Sequence, residues 1–313
     1  MDISIFNDWL LASMRMAAPL MLLGVGGTFT ERTGIFNIGM EGMMLVGAMA
    51  AIAGNLATGS VLIATLCAMA AGGILGLVHA YLTVTRSSNQ IVSGATINLL
   101  ALGLTNLLYG PLYEGFKYRP RVPLYPVLLP EALHDVPILG PLIFAQPVIV
   151  WVAFLLPVIA TWILYRTSWG LNIRAVGDHP HAVATAGVSV TKLKYVGVLI
   201  SGLCAGLGGS ALVMADLGMF GPNLTAGRGF ISLAALAVGS WNPAKVAVAC
   251  LFFGGAEALQ LRAQTWSQTY GINLPYQFLV MLPYLLTIAV LAGIVGRTYA
   301  PKTLGKPYDP DTI

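Results

Sequence analysis

Six polar side chains lie within or beside long apolar stretches of this sequence and could bind a polar solute or an ion. They comprise three amides, two carboxylates and one guanidinium: Asn37, Glu41, Asn98, Asn106, Arg228 and Glu257. Asn37 and Glu41 are four residues apart, so a helix would place them on one face. Amide and carboxylate oxygens accept hydrogen bonds from hydroxyl or N–H groups, and a guanidinium donates them. Polar residues at membrane depth are costly and are functional candidates.

Motifs for covalent chemistry are missing from the sequence. It has no GxxxxGK[ST], HExxH or GxSxG, and no GxGxxG after a strand. The histidines and cysteines are too scattered to suggest a metal set or a disulfide framework: His79, His134, His179, His181, Cys67, Cys204 and Cys250. We therefore expect no enzymatic activity, no metal and no cofactor bound by this chain, so any ATP would be used by another subunit.

The composition is that of a polytopic membrane protein. Of its 313 residues 57% are hydrophobic and only 9% are charged, with a mean hydropathy of +0.80, whereas soluble domains have about 25% charged residues. The net charge of +4 is small and scattered, so it does not suggest nucleic acid.

Apolar segments long enough to cross a bilayer, about 20 residues each, recur along the whole chain. They predict an all-α transmembrane bundle of eight to ten spans, formed by a single domain over residues 1–313. The clear candidates are 9–29, 42–58, 61–84, 90–110, 147–165, 195–216, 244–262 and 276–296. We expect broken or re-entrant helices near 31–42 and 227–240, because polar backbone at membrane depth must be covered by protein or line a cavity.

Three polar connections indicate the orientation. In the favoured orientation the loop 166–194 and the tail 297–313 are cytoplasmic, and the loop 111–146 is extracytoplasmic. This arrangement places most of the 16 Lys and Arg residues on the cytoplasmic side. The loop 166–194 contains a candidate short helix, with Asp178 as its N-cap, Pro180 in the first turn and Gly187 at its end. Such a helix could insert into a partner's groove or lie at the membrane interface.

Alternative roles remain open for the six polar residues. Arg15 or Arg228 could pair with Glu41 or Glu257 and hold helices in register, and the amides could join helices by hydrogen bonds.

Four sequence runs together resemble one family. They are Glu31–Gly42, Asn89–Gly94 with Asn98, Leu171–Gly187, and Arg228-Gly-Phe followed by Trp241-Asn-Pro. They are similar to permease subunits of bacterial ABC importers in the branched-chain amino acid and simple sugar permease superfamily. The nearest subgroup is the general nucleoside permease, in its shorter paralogous subunit, and matching runs extend from about residue 20 to 296.

This resemblance implies an inner-membrane permease that works with a second, paralogous permease, a cytoplasmic ATPase and an extracytoplasmic binding protein. It also implies a coupling helix for the ATPase at 178–187, carried by Asp178, His179, Pro180, His181, Ala182 and Gly187. Sugar and amino-acid permeases typically carry other residues at Gly34–Gly39, so the resemblance favours nucleosides as the solute.

The expected function is ATP-driven nucleoside import, with the six polar residues along the substrate path. We expect alanine at Asn37, Glu41 or Asn98 to reduce uptake without reducing assembly. The alternatives are an ABC permease for simple sugars or branched-chain amino acids, an ion-coupled transporter that uses Glu41 or Glu257, and a membrane-embedded enzyme.

Overall fold

The computed structural model describes residues 3–127, 145–269 and 300–308, together with isolated positions between 277 and 292. Within these ranges the chain is helical and has no β-strand beyond an isolated bridge between Val127 and Pro147. The described α-helices are α1 (Ile3–Arg32), α2 (Met40–Thr58), α3 (Val61–Ala80), α4 (Gln90–Leu112), α5 (Val148–Arg166), α6 (Ser168–Asp178), α7 (Pro180–Thr185), α8 (Val190–Leu212), α9 (Arg228–Val238) and α10 (Pro243–Thr269).

Seven of the described helices, α1–α5, α8 and α10, are long and apolar enough to cross a membrane. This confirms the predicted all-α, multi-pass bundle, and the helices match the first seven predicted spans. The eighth predicted span, 276–296, lies outside the described residues. Helix α9 has 11 residues, which is about 16 Å and roughly half of a crossing. The short, broken helix predicted at 227–240 is therefore present.

Helix α8 lies at the centre of the bundle because small residues let its neighbours approach closely. A Cβ on Gly72 of α3 would lie 2.4 Å from the carbonyl oxygen of Gly202, and one on Gly206 would lie 2.1 Å from that of Ala68. Both glycines of α8 thus bring backbone against backbone, as the GxxxG spacing predicts for membrane helices.

Three segments meet at one end of the bundle, which we call the tail end: the linker 33–39, the loop 167–189 and the tail 300–308. The amide of Thr303 donates to the carbonyl of Gly177 at 2.9 Å, and that of Gly305 donates to Gly34 at 3.2 Å. The loop and the tail, which the sequence places on one side of the membrane, therefore share one end.

The opposite end, which we call the far end, joins residues 113–127 to the loop 217–227. The amide of Val122 donates to Gly218 O at 2.8 Å, and the Tyr113 hydroxyl donates to Phe220 O at 3.1 Å. Burial raises the pKa of this hydroxyl above its ordinary value. Residue 218 lies at the far end, whereas Trp241 lies beside Arg32 at the tail end. The loop 217–227 and α9 together therefore carry the chain from the far end back to the tail end.

The helix break predicted at 31–42 is present but narrower, since α1 continues to Arg32 and α2 starts at Met40. The linker 33–39 connects α1 to α2 and packs against the interior of the bundle. Thr33 lies against Gly197 of α8, and Asn37 bonds to Ser201, which is about 6 Å further along that helix. Thr33 and Asn37 are fully buried, so protein covers the polar backbone as expected.

The loop 166–194 differs from the prediction in one respect. The sequence indicated one short helix capped by Asp178, whereas residues 168–178 form the additional helix α6 and Asp178 is its last residue. The N-cap of α7 is His179, which makes no capping side-chain bond, and Pro180 occupies the first turn. Gly187 adopts the predicted left-handed conformation, with φ +79°.

Candidate functional site

The start of the half-length helix α9 is held by Glu41, which lies in the first turn of α2. Its Oε1 accepts a hydrogen bond from Gly227 N at 2.8 Å, and its Oε2 accepts one from Gly229 N at 2.6 Å. The first amides of a helix have no partner within the helix. Glu41 therefore supplies acceptors for α9, and both its oxygens are engaged by backbone rather than by an arginine.

The other end of α9 is held by the last residues of α1. Arg32 donates through Nε to Trp241 O at 2.9 Å and through Nη2 to Ser240 O at 3.1 Å. The indole Nε1 of Trp241 donates to Glu31 Oε2 at 2.5 Å. The guanidinium of Arg32 thus binds carbonyls of the turn that follows the C-terminus of α9.

The segment 31–42 therefore contacts the half-length helix at both ends, and Glu41 and Arg32 are placed favourably for its dipole. The anion, Glu41, lies at the positive N-terminus, and the cation, Arg32, lies at the negative C-terminus. Both placements stabilise a helix. One polar segment thus positions the start of α9 inside the bundle.

At that start, Arg228 and Glu257 form an ion pair between α9 and α10. Arg228 Nη1 also donates to Leu224 O at 3.2 Å. Arg228 Nε and Glu257 Oε2 are buried and have no hydrogen-bond partner among the described residues. One donor and one acceptor of this pair are thus unsatisfied within the described part of the chain.

Arg228 lines a cavity of about 290 Å³ in the half of the bundle nearer the far end. Its other walls come from α1, the end of α8, the loop 217–227 and α10: Arg15, Met16, Pro19, Ala211, Leu212, Ala215, Leu217, Leu224 and Leu261. Arg15 donates to Gln146 Oε1 at 3.1 Å and to Ala145 O at 3.1 Å. An apolar cavity with a few polar groups is the usual form of a small-molecule site.

Two predicted amides lie elsewhere and hold the linker. Asn98 accepts from Gly42 N at 2.8 Å and donates to Ile38 O at 3.1 Å. Asn37 donates to Ser201 Oγ at 3.0 Å, while its Oδ1 has no partner among the described residues. Their contacts fit the helix-joining role that the sequence left open.

Asn106 is separate from the other five. It lies two turns beyond Asn98 on α4, and its side chain is exposed. The structure thus divides the predicted set into Glu41, Arg228 and Glu257 at the start of α9, Asn37 and Asn98 at the linker, and Asn106 alone.

Four further residues contribute that residue-by-residue reasoning did not single out. Two of them, Glu31 and Arg32, contact the end of α9 as described above. The other two, His79 and Gln90, hold the linker. The His79 ring nitrogens lie 3.0 Å from Ser93 Oγ and 3.3 Å from Phe36 O, and Phe36 N donates to Gln90 Oε1 at 2.6 Å. Their one sequence signal was polarity within apolar surroundings, which does not identify a partner. Within the described ranges no cluster of three or more His, Cys, Asp or Glu could hold a metal.

The predicted coupling residues lie in α7 and directly beside it, at the tail end. Pro180 is buried, whereas Ala182 and Gly187 are exposed. The His181 ring lies 5.3 Å from that of Tyr308, and His179 Nε2 lies 3.1 Å from Lys302 Nζ. Asp178 Oδ1 accepts from Lys302 N at 3.3 Å.

Contacts also connect α6, which precedes α7, with the end of α9. Gly177, at the end of α6, lies so close to the carbonyl of Arg32 that a Cβ would be 2.2 Å from its oxygen. Arg32 in turn binds the carbonyls that follow α9. Helix α6 is thus joined through Arg32 to the residues that follow α9.

The family model for the permease component of branched-chain amino acid transport systems matches residues 9–291. Among curated proteins, the guanosine ABC transporter permease NupQ of Bacillus subtilis is 40% identical, over 95% of both chains. The nucleoside ABC transporter permease NupC of Lactococcus lactis is 35% identical, over 93% of both. The putative glucose ABC transporter permease TsgC13 of Haloferax volcanii is 35% identical, over 92% of this chain and 91% of its own.

A further similarity is to the guanosine ABC transporter permease NupP of Bacillus subtilis, at 30% identity over 94% of this chain and 83% of its own. One organism therefore has two distinct permeases similar to this chain. No solved structure matches it.

Proposed function

We infer that this chain, which belongs to the family of permease components of branched-chain amino acid transport systems, is a membrane-spanning subunit of an ATP-driven importer for nucleosides. The names of the relatives NupQ and NupC support the solute. In this proposal the chain is a transport subunit without enzymatic activity or cofactor of its own, and a separate ATPase chain hydrolyses ATP.

The observation that carries this proposal is the start of α9. Interrupted membrane helices whose ends face a cavity are frequent sites of solute binding in transporters. Here Arg228 Nε and Glu257 Oε2 lack partners among the described residues, and Arg228 lines a cavity of about 290 Å³. Apolar walls of this cavity would contact the flat faces of a base.

The chemistry of the pair suits a purine nucleoside. A carboxylate oxygen accepts from ring or exocyclic N–H groups, and a guanidinium donates to ring nitrogen or carbonyl oxygen, as arginine does to guanine. Glu41 has both oxygens on backbone amides, so in this proposal it positions the site and Glu257 and Arg228 contact the solute.

The partners and the location complete the proposal. A second, paralogous permease would complete the path, as the existence of both NupQ and NupP in Bacillus subtilis suggests. A binding protein would deliver the solute at the far end, and the ATPase would bind α7. The tail end would then be cytoplasmic in a bacterial inner membrane.

Reconstitution of the complex in proteoliposomes tests the function. We expect ATP-dependent uptake of labelled guanosine that exceeds uptake of glucose and of leucine, and that survives an uncoupler. Uptake of glucose alone would point to the specificity named for TsgC13, and uptake that collapses with the uncoupler would indicate an ion-coupled transporter.

The substitution Glu257→Gln tests the site separately. Losing a charged acceptor in a site built for hydrogen bonding should reduce guanosine uptake by about tenfold or more. The control Glu114→Gln removes an exposed carboxylate and should leave uptake unchanged. Co-purification of the ATPase verifies assembly, and full uptake by an assembled Glu257→Gln variant would contradict the assignment.

A further inference from the structure

A second polar cavity lies at the tail end, away from the start of α9. It has a volume of about 350 Å³ and is bounded by α7, by the first turns of α8 and by the tail. The groups in its walls that bear on ligand chemistry are Asp178, His179, His181, Lys194, Lys306 and Tyr308.

Lys194 is the unusual member of this cavity. Its side chain is 1% exposed, and its Nζ has no hydrogen-bond partner among the described residues. The ring of Tyr308 has its centroid 5.9 Å from Nζ. Buried charges in proteins are normally paired, because an unpaired one loses hydration without compensation.

The surroundings of Lys194 are mostly cationic or able to donate hydrogen bonds. Lys306 and two histidines, His179 and His181, also line the cavity, and Lys302 lies against His179. The one carboxylate that the described residues place in these walls, Asp178, already accepts from the amide of Lys302. The walls formed by the described residues are therefore richer in cationic and donor groups than in carboxylates, which favours an anionic ligand.

We propose that this cavity binds a phosphate group, carried by a soluble nucleotide or by a phospholipid head group, with Lys194 as its principal ligand. A phosphate has several acceptor oxygens and can contact Lys194, Lys306 and His179 from different directions at once, which a two-oxygen carboxylate does less well. The aromatic rings of Tyr308 and His181 form the adjoining wall. A bound phosphate would link α7, α8 and the tail, and the site is independent of which solute the chain transports.

The test uses the full-length chain in lipid nanodiscs. One arm titrates inorganic phosphate and guanosine monophosphate by calorimetry in nanodiscs of phosphatidylcholine. The other adds phosphatidylglycerol and counts retained lipid by native mass spectrometry. Saturable binding in the first arm identifies a soluble source, and selective retention in the second identifies a lipid source.

The variant Lys194→Met should weaken that binding by about tenfold or more, because it removes the buried charge. It should still fold, since replacing a buried charge by an apolar side chain of similar size is often neutral or stabilising. The matched control is Lys192→Met, an exposed lysine in the same turn, and it should bind as the parent does. Equal binding by a folded Lys194→Met variant, or no binding in either arm, would overturn the proposal.

Discussion

Single residues in this chain take roles that their chemical type alone leaves open. Glu41 has the properties of a solute ligand or an ion-pair partner, yet it accepts hydrogen bonds from the amides of Gly227 and Gly229. Glu257, by contrast, keeps one oxygen without a partner among the described residues. The difference lies in what each carboxylate meets in the fold.

Replacing Glu41 by alanine should destabilise the chain as well as reduce uptake. It leaves the part-buried amide of Gly227 and the buried amide of Gly229 without acceptors, and an unsatisfied buried group costs about 1–3 kcal/mol. Chemical unfolding in detergent would measure the loss, and Glu114→Ala, at an exposed carboxylate, serves as the control. An unchanged free energy of unfolding for Glu41→Ala would refute its role as a helix cap and revive the expectation of an effect on uptake alone.

The two amides of α4 should respond differently to substitution. Asn98→Leu removes hydrogen bonds to Gly42 N and Ile38 O and should cost about 1–2 kcal/mol in unfolding free energy. Asn106→Leu replaces an exposed side chain and should leave the stability of the isolated chain unchanged. Equal losses in the two variants would show that Asn98 does not hold the linker.

Among the elements, α9 depends on contacts with its neighbours. An isolated helix of this length is marginal, and α9 is fixed by α1 at its end and by α2 at its start. The close approach of α2 requires glycine at residue 229, where an added Cβ would lie 2.6 Å from Glu41 Cα.

The substitution Gly229→Ala should therefore separate α9 from α2. The contact is with backbone, which cannot rotate away, so we expect a destabilisation of about 1–3 kcal/mol, as for other overpacked sites. Gly221→Ala is the matched control, because nothing lies within 4 Å of a Cβ there. Thermal unfolding of both variants in nanodiscs distinguishes them, and equal transitions would argue against the close packing of α9.

For the molecule as a whole, the contacts that join α6 and α7 to α9 connect the proposed ATPase-binding helix with the proposed solute site. The route passes from α6 through Gly177 to Arg32 and then to the residues after α9. Packed contacts of this kind carry coupling only if both ends bias the same two arrangements. The exposed side of α7 is the place where the ATPase would act.

A charge on that exposed side should weaken the partner's binding without disturbing the fold. We expect Ala182→Glu, at an exposed position, to lower the amount of ATPase that co-purifies, because a buried unpaired carboxylate opposes association. Tyr118→Glu, at an exposed residue near the far end, should retain the ATPase. Equal ATPase recovery in both variants would place the coupling surface elsewhere.

The sequence by itself determined the seven membrane-length helices of the described ranges, the break at 31–42, the short helix near 227–240 and the turn at Gly187. These features depend on local hydropathy, helix length and glycine conformation, which a short window of residues contains. It also marked Arg228 and Glu257 as polar residues within apolar surroundings, because that too is visible locally. Helix α6 escaped notice, since its polar composition is also that of a loop.

Only the tertiary structure decided which polar groups meet. Glu41 accepts a hydrogen bond from the amide of Gly227, 186 residues later in the chain. Arg32 donates one to the carbonyl of Trp241, 209 residues later. Asp178 is the last residue of α6 and not the N-cap of α7, and its Oδ1 accepts from the tail amide of Lys302. Such pairings result from how the helices pack, and many partners of the right chemical type compete for each carboxylate, so local sequence patterns leave the choice undetermined.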